Sequence, residues 1–549
     1  AACSAPTTVA TTAPAPAPTP PPAATVPANR SPSTYVPAVA MTSPPTNWQL
    51  LDQTTDHIPG IGSERAMKEL LAGKTPKRTV LVAIIDNGID TSHVDLKANL
   101  WTNPKETGGN KTDDDTNGYV DDVHGWNFIG GKDGKDVEFD TFEITREYAR
   151  CHGKAAASGV PTITDAEKCK QIDADFEKQK AKIQSTADNY RNANDVMKQI
   201  IPVLKRAANT DSLTPDRVRR ISTMDPQISR ARSIFLELDT QGATPAALED
   251  GLKSIEGQLK YGLNPDFNPR TVVGDNYADP SERRYGNPDV MGAEPKHGTH
   301  VAGIIGAVRG NGVGVDGISP AVKFMMIRTV PDGDERDKDV ASAIRYAVDN
   351  GAQVINMSFG KGQSPFKSAV DDAIKYADSK GVLMVHAAGN DGADLAKGKN
   401  FPTQFYLGGG RATNWIEVGA SSWKGGDDLA APQFSNYGKE QVDVFAPGVD
   451  ILSSIPGNQY ERDSGTSMAA PVVTGLAALI MNFYPNLSAS DVRRIILASA
   501  SRHGDQMVIK PGTDNEKVSF GSLSVTGGIV NAYNAIKMAE EMSNGKATP

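Results

Sequence analysis

Cysteine is scarce in this chain, with only Cys3, Cys151 and Cys169 among 549 residues. That is too few to build a disulfide-held fold, and their spacing fits no zinc site. Long hydrophobic runs are missing too. No stretch of about 18 consecutive apolar residues occurs, so no transmembrane segment is expected. An excess of positive charge is likewise absent. The net charge of −9 argues against a nucleic-acid partner. The first residue is not Met, and an N-terminal signal peptide is expected to have been removed. Residues 1–46 are poor in apolar surface, as in Ala13-Pro14-Ala15-Pro16 and Pro20-Pro21-Pro22. Such a segment cannot offset its ordering entropy and reads as a disordered Pro/Ala-rich linker.

What is present suffices for a large globule, with 38% hydrophobic and 22% charged residues. From about residue 47, runs rich in Val and Ile alternate with amphipathic helices, the order of a parallel α/β sheet. Strands are expected at 79–85, 322–327, 353–358 and 382–386. Helices are expected at 339–350, with Asp339 as N-cap, and at 488–500 and 530–542. The stretch 131–264 breaks this rhythm. Ile172, Phe176, Ile183, Tyr190, Met197, Ile201 and Leu204 form one stripe along a long helix between Ala166 and Arg206. Thr244-Pro245 opens another helix, whose stripe is Leu248, Leu252, Ile255 and Leu259. The expected organisation is a linker at 1–46, an α/β domain in two parts at 47–130 and 265–540, a helical insertion packed on itself at 131–264, and a tail at 541–549.

Three short motifs carry chemistry. Ile84-Ile85-Asp86-Asn87-Gly88 ends a buried strand, His297-Gly298-Thr299-His300 follows far downstream, and Gly465-Thr466-Ser467-Met468-Ala469 opens a helix. Each alone has a bland reading, as a turn, a loop histidine or a helix cap. Together, in the order Asp, His, Ser on an α/β background, they resemble the catalytic signature of the subtilases, subtilisin-like serine peptidases. A serine hydroxyl must lose its proton as it attacks, a neutral imidazole takes that proton, and a buried carboxylate holds the imidazole. The resemblance implies a subtilisin-like three-layer α/β fold with a mostly parallel sheet. It implies a serine endopeptidase acting on protein or peptide substrates, with Ser467 as nucleophile, His297 as general base and Asp86 as its orienting carboxylate. Ala387-Ala388-Gly389-Asn390 resembles the family's oxyanion-hole segment and assigns Asn390 that role. Ser358-Phe359-Gly360 and Ala387-Ala388-Gly389 correspond to the substrate-binding edge. The resemblance covers about 47–130 and 265–540. Asp86 and His297 stand 211 residues apart, much further than in compact members. No folded inhibitory propeptide of the kind common in the family is recognisable before Asn47.

Two structural calcium sites are expected. Asp113-Asp114-Asp115-Thr116-Asn117-Gly118 with Asp121 and Asp122 places oxygen ligands at alternate positions, although His124 stands where an EF-hand's closing Glu would be. Asp95 and Asn311 lie where the family places ligands of a second site. His93, His300 and His386 are read as structural, His93 with a hydrogen bond to Asp86 as an added option. Ala1-Ala2-Cys3-Ser4 resembles the end of a bacterial lipobox, so Cys3 is a lipidation candidate. In an oxidising compartment Cys151 and Cys169 are expected to pair, joining two helix ends. These readings together give a monomeric bacterial protein, secreted, or on the outer surface or in the periplasm with a lipid anchor. The loop Pro331–Lys338 carries an excess of acid and, at the substrate edge, should favour basic side chains before the cut. Two other readings stay open: a catalytically idle fold used for binding, and a calcium-dependent scaffold whose insertion does the work.

Overall fold

The computed structural model describes Met41 and residues 43–240 and 243–545. The linker and Cys3 lie almost wholly outside these residues, so neither the Pro/Ala segment nor the lipidation candidate can be placed.

Seven strands are named in chain order: β1 Val80–Asp86, β2 Gly125–Asn127, β3 Val322–Arg328, β4 Val354–Met357, β5 Leu383–Ala387, β6 Trp415–Ser421 and β7 Val444–Pro447. With the short strands Gly528–Ile529 and Ser501–Arg502 they form one nine-stranded sheet. Its order from one edge is Ser501–Arg502, Gly528–Ile529, β7, β6, β5, β4, β1, β3, β2. Only the pairing of Ser501–Arg502 with Gly528–Ile529 is antiparallel. The strands are rich in Val, Ile and Met because both faces are buried, and the period of two sends alternate residues to opposite faces. In β1, Val80, Val82 and Ile84 enter one core and Ala83 and Ile85 the other.

The helices are α1 Ser63–Glu69, α2 Glu143–His152, α3 Ala166–Ala208, α4 Pro215–Arg219, α5 Pro226–Thr240, α6 Pro245–Gly257, α7 Arg270–Val273, α8 Lys296–Gly306, α9 Asp337–Asp349, α10 Lys367–Ser379, α11 Thr466–Phe483, α12 Ala489–Ala498 and α13 Ala532–Ser543. α8, α11, α12 and α13 cover the first face of the sheet, and α9 and α10 the second, giving three layers. α11 is long and apolar enough to cross a membrane by composition alone, but its 18-residue span is 94% buried as the central core helix.

Helix α9 starts two residues earlier than its sequence suggests. Asp339 is not the N-cap; Arg336 holds that place. The Asp339 carboxylate is instead taken by Arg270 at 2.7 and 2.8 Å and by the Tyr285 hydroxyl at 2.6 Å. A buried guanidinium outcompetes the helix's own amides for a carboxylate.

Between β2 and α8 the chain builds two small cores of its own. Phe176, Ile183, Ala187, Ile255 and Leu263 form one, and Met197, Leu204, Val218, Phe235 and Leu248 are among the residues of the other. Asp165 caps α3 by accepting from the amides of Glu167 and Lys168, and Thr244 caps α6. A disulfide joins Cys151, at the end of α2, to Cys169, at the start of α3, with Cα atoms 5.7 Å apart. Residues 131–142 are not helical. Val137 packs in the sheet's second core, and Phe139 bridges to Asp332 in a parallel pair.

Candidate active site

The site gathers where the strand order doubles back. β1 lies between β3 and β4, so the connections leaving β1 and β4 diverge and leave a crevice at their C-terminal ends. Asp86 ends β1, Ser358 follows β4, and Gly389 and Asn390 follow β5. The N-termini of α8 and α11 bring in His297 and Ser467. All six line one cavity of about 960 Å³.

Asp86 is 1% exposed. Its Oδ1 accepts from the Asn87 amide at 2.8 Å and lies 2.7 Å from His297 Nδ1. Asn87 Oδ1 accepts from the Gly298 amide, tying the two motifs together. A carboxylate against Nδ1 fixes the proton there and leaves Nε2 as the basic atom. Burial disfavours the imidazolium, but the Asp86 charge and hydrogen bond, with Asp463 adding to them, outweigh it and raise the His297 pKa above its ordinary value.

Ser467 is the second residue of α11. Its hydroxyl donates to the Ser358 carbonyl at 3.1 Å, and no hydrogen bond to His297 is present. Such contacts are often loose before substrate binds. The helix start is locked to the strands: Ser358 Oγ donates to the Ser467 carbonyl at 2.9 Å, Asn356 Nδ2 donates to Ser358 Oγ, and Thr474 Oγ1 donates to Asn356 Oδ1.

Asn390 is oriented without ambiguity. Its side chain accepts from the Thr466 amide and hydroxyl, both at 2.9 Å, and an amide N–H can only donate, so the accepting atom is Oδ1. Among the described residues Nδ2 then meets no acceptor, and it lies beside the α11 N-terminus, whose first amides have no helical partner. An anion forming there would meet a side-chain donor and a backbone donor.

The expected substrate edge separates into two parts. Ser358, Phe359, Gly360, Ala387 and Gly389 line the cavity, whereas Ala388 is fully buried and does not. A Cβ at Gly360 would stand 2.3 Å from Asn400 Oδ1, so any larger residue there must displace the Asn400 side chain. Asn400 in turn donates to the Ala387 carbonyl.

The histidines have other work. His93 Nδ1 accepts from the Asp95 amide and Nε2 faces the Gln459 carbonyl, with no bond to Asp86. His300 Nε2 faces the Glu461 carbonyl, and His386 lies between Glu417 and the Phe359 carbonyl.

The expected calcium ligands are only partly assembled. Carboxylate oxygens of Asp113, Asp115 and Glu106 lie within 4.8 Å of one another, and this all-oxygen donor set suits a hard cation. Glu106 had no sequence signal beyond its charge. Asp121 instead receives the amides of Gly109 and Lys111. Asp122 is bound by Asn103, Asn117 and Tyr346, and burial pushes its carboxyl up to about 6. Asp95 and Asn311 do meet, but Asn311 Nδ2, the Val315 amide and the Tyr460 hydroxyl all donate to Asp95.

Sequence reasoning missed one wall of the cavity. Asp250, Ser254, Gly257 and Tyr261, at steps of four, three and four, line it from α6 and the π-turn Gln258–Gly262 that continues it. Their repeat is the hidden counterpart of the Leu248, Leu252, Ile255 and Leu259 stripe on the opposite face.

The sequence pattern of the Subtilase family matches residues 77–521. A thermophilic serine proteinase of Bacillus sp. (strain AK1) is 36% identical over 274 residues, which are 50% of this chain and 58% of that protein. Subtilisin DY of Bacillus licheniformis is 38% identical over 223 residues, 40% of this chain and 75% of its own length. Among solved structures, a protease of Pseudoalteromonas arctica PAMC 21717 covers 90% of this chain and 100% of its own at a TM-score of 0.45 and 20% identity.

Proposed function

We propose that this chain, which belongs to the subtilase family, is a serine endopeptidase with Ser467 as its nucleophile. The observation that carries the reading is the convergence of Asp86, His297, Ser467 and a free Asn390 amide on one cavity. Ser467 Oγ attacks the scissile carbonyl as its proton passes to His297 Nε2. The resulting oxyanion is met by Asn390 Nδ2 and the Ser467 amide. Collapse expels the amine, which takes the proton from His297 and leaves an acyl-serine. Water, deprotonated by the same imidazole, then releases the acid and restores the serine. Asp86 holds the tautomer and stabilises the imidazolium. The substrate backbone lies along Ser358–Gly360 and the Ala387–Gly389 segment.

A fluorophosphonate probe tests this. It should label the wild-type chain and not Ser467→Ala. Absence of labelling in the wild type would favour an idle fold.

The cellular setting is also proposed. A disulfide between Cys151 and Cys169 fits an oxidising compartment and so a secreted or periplasmic protein. Lipidation at Cys3 would add a surface tether. Calcium would be held by Glu106, Asp113 and Asp115, where a divalent cation relieves the repulsion of three carboxylates.

A further inference from the structure

Helix α6 and the loop that follows β3 meet over the cavity. Phe139 stacks on Tyr261 with ring centroids 4.4 Å apart. A Cβ at Gly257 would lie 3.3 Å from the Phe139 ring and 3.5 Å from Asp332 Oδ2, so the glycine lets the helix approach the loop closely. At this junction Glu138 and Asp332 line the same cavity as Ser467, and Asp250 lines it from about two turns earlier on α6. Their carboxylates meet no donor among the described residues. Glu335 lines the cavity too. It is 2% exposed, and its Oε1 has no hydrogen-bond partner. Of the basic residues nearby, Lys260 lies over the Tyr261 ring, its Nζ 4.7 Å from the centroid, and forms no ion pair among the described residues, while three others are paired with acids. Lys296 pairs with Glu461 at 2.9 Å, Arg328 with Asp136 at 2.9 Å, and Lys253 reaches Glu294 at 3.9 Å. Burial, then Glu138 and Glu294, push the Asp332 carboxyl up against a smaller opposing effect of Lys253, as expected where negative charge is left uncompensated.

We propose that α6 forms a wall of the substrate cleft and that Asp250, Asp332 and Glu138, together with the unpartnered Glu335 carboxyl, form a receptor for a lysine or arginine side chain of the substrate, close to the scissile bond. The proposal rests on the peptidase reading for its reaction but not for its chemistry of recognition. A long basic side chain can lay its methylene stem on the Phe139 and Tyr261 rings and carry its charge to the carboxylates. An acidic side chain in the same place meets repulsion, so selection works by attraction and exclusion together.

The test uses octapeptides that place a single Lys, Gln or Glu at each position around the bond. Cleavage by the wild-type chain and binding to Ser467→Ala, read by fluorescence anisotropy, are measured in parallel. At one or more positions Lys should exceed Glu by about tenfold or more in kcat/KM and in affinity, and the ratio should fall with added salt. Asp250→Asn/Asp332→Asn should collapse the ratio to about twofold or less, and Asp332→Lys should turn it toward Glu. Fluorophosphonate labelling of Ser467 in both variants checks that they fold. A Lys/Glu ratio near one at every position overturns the proposal, and so does a ratio that the double variant leaves unchanged. Charge-selective binding to Ser467→Ala with no cleavage by the wild type would overturn the peptidase reading and leave this one standing.

Discussion

At the scale of single residues, the site is an arrangement of hydrogen bonds that each fix one degree of freedom. Asp86 fixes the His297 ring, Thr466 fixes the Asn390 amide, and Asn400 fixes the edge beside Gly360. Ser467→Ala, His297→Ala and Asp86→Ala should each remove most peptidase activity, and Ser467→Ala/His297→Ala should be no slower than the worse single variant. A double variant far slower than either would show that the three do not act as a unit. His297 must be neutral to accept a proton. Its raised pKa therefore sets an acidic limb of kcat/KM above the ordinary imidazole value, and Asp86→Asn should move that limb to lower pH as the rate falls. The stability sign is opposite. A raised histidine pKa stabilises the fold fully below the unfolded value of 6.5, and the contribution is lost as pH rises through the folded value. A pH–rate profile whose acidic limb does not move in Asp86→Asn would contradict this coupling. Gly360→Ala should lower kcat/KM by about tenfold or more, because the new methyl must displace the Asn400 side chain.

At the scale of elements, the helices between β2 and α8 are joined to the cleft by charge as well as by packing. Glu143, at the start of α2, binds Lys361, the residue after Gly360, at 2.6 Å, and Arg146 reaches the Asp334 and Glu335 carbonyls. Movement of α2 therefore pulls directly on the substrate edge. The Cys151–Cys169 bond pins α2 to α3 and closes the loop 152–168. In the chain-entropy model such a loop is worth about 3 kcal/mol. Reduction, or Cys151→Ser/Cys169→Ser, should lower the melting temperature and raise hydrogen exchange in α2 and α3, while Ser467 keeps its reaction with fluorophosphonate. Unchanged exchange in those two helices would show that the bond constrains nothing. The Glu335 carbonyl accepts from Arg146 of α2 and from Lys361. Burial raises the Glu335 carboxyl to about 8, with Lys361 opposing and Asp334 and Asp337 adding to the rise. A raised carboxyl costs the fold stability as pH climbs from 4.5 toward 8, so Glu335→Gln should become progressively more stabilising across that interval. A stability difference that is flat with pH would reject it.

At the scale of the whole molecule, the sheet and its covering helices form a rigid frame, and long loops carry the acid clusters. A cation held by Glu106, Asp113 and Asp115 would bind the native chain and not the unfolded one, adding RT ln(1 + [L]/Kd) to stability. Calcium should raise the melting temperature, a chelator should reverse the rise, and Glu106→Gln/Asp113→Asn should abolish the response. The same melting temperature with calcium and with chelator would remove the cation from this loop.

Much of this was legible in the order of residues. The Val- and Ile-rich strands show themselves because both of their faces are buried, and the long helix after Asp165 because its apolar stripe and its cap are local signals. The motifs around Asp86, His297 and Ser467 are readable because the chemistry admits few residue types. What the sequence could not decide depends on neighbours distant along the chain. Asp339 has the makings of a cap, but Arg270 takes its carboxylate. Asp95 and Asn311 are far apart in the chain, and only folding brings them into hydrogen-bond contact. Ala388 belongs to a motif of the site yet turns into the core. The cleft face of α6 is polar like any solvated surface, and only the packing of Gly257 on Phe139 and Asp332 makes it a wall of the active site. The sequence by itself marked the buried strands β1, β3, β4 and β5, the cap of α6 and the candidate reacting groups, because periodicity, capping and chemical type act within a few residues. Only the tertiary structure decided which polar groups remain free to meet a substrate, because a hydrogen bond is settled by whichever partner folding brings within about 3 Å.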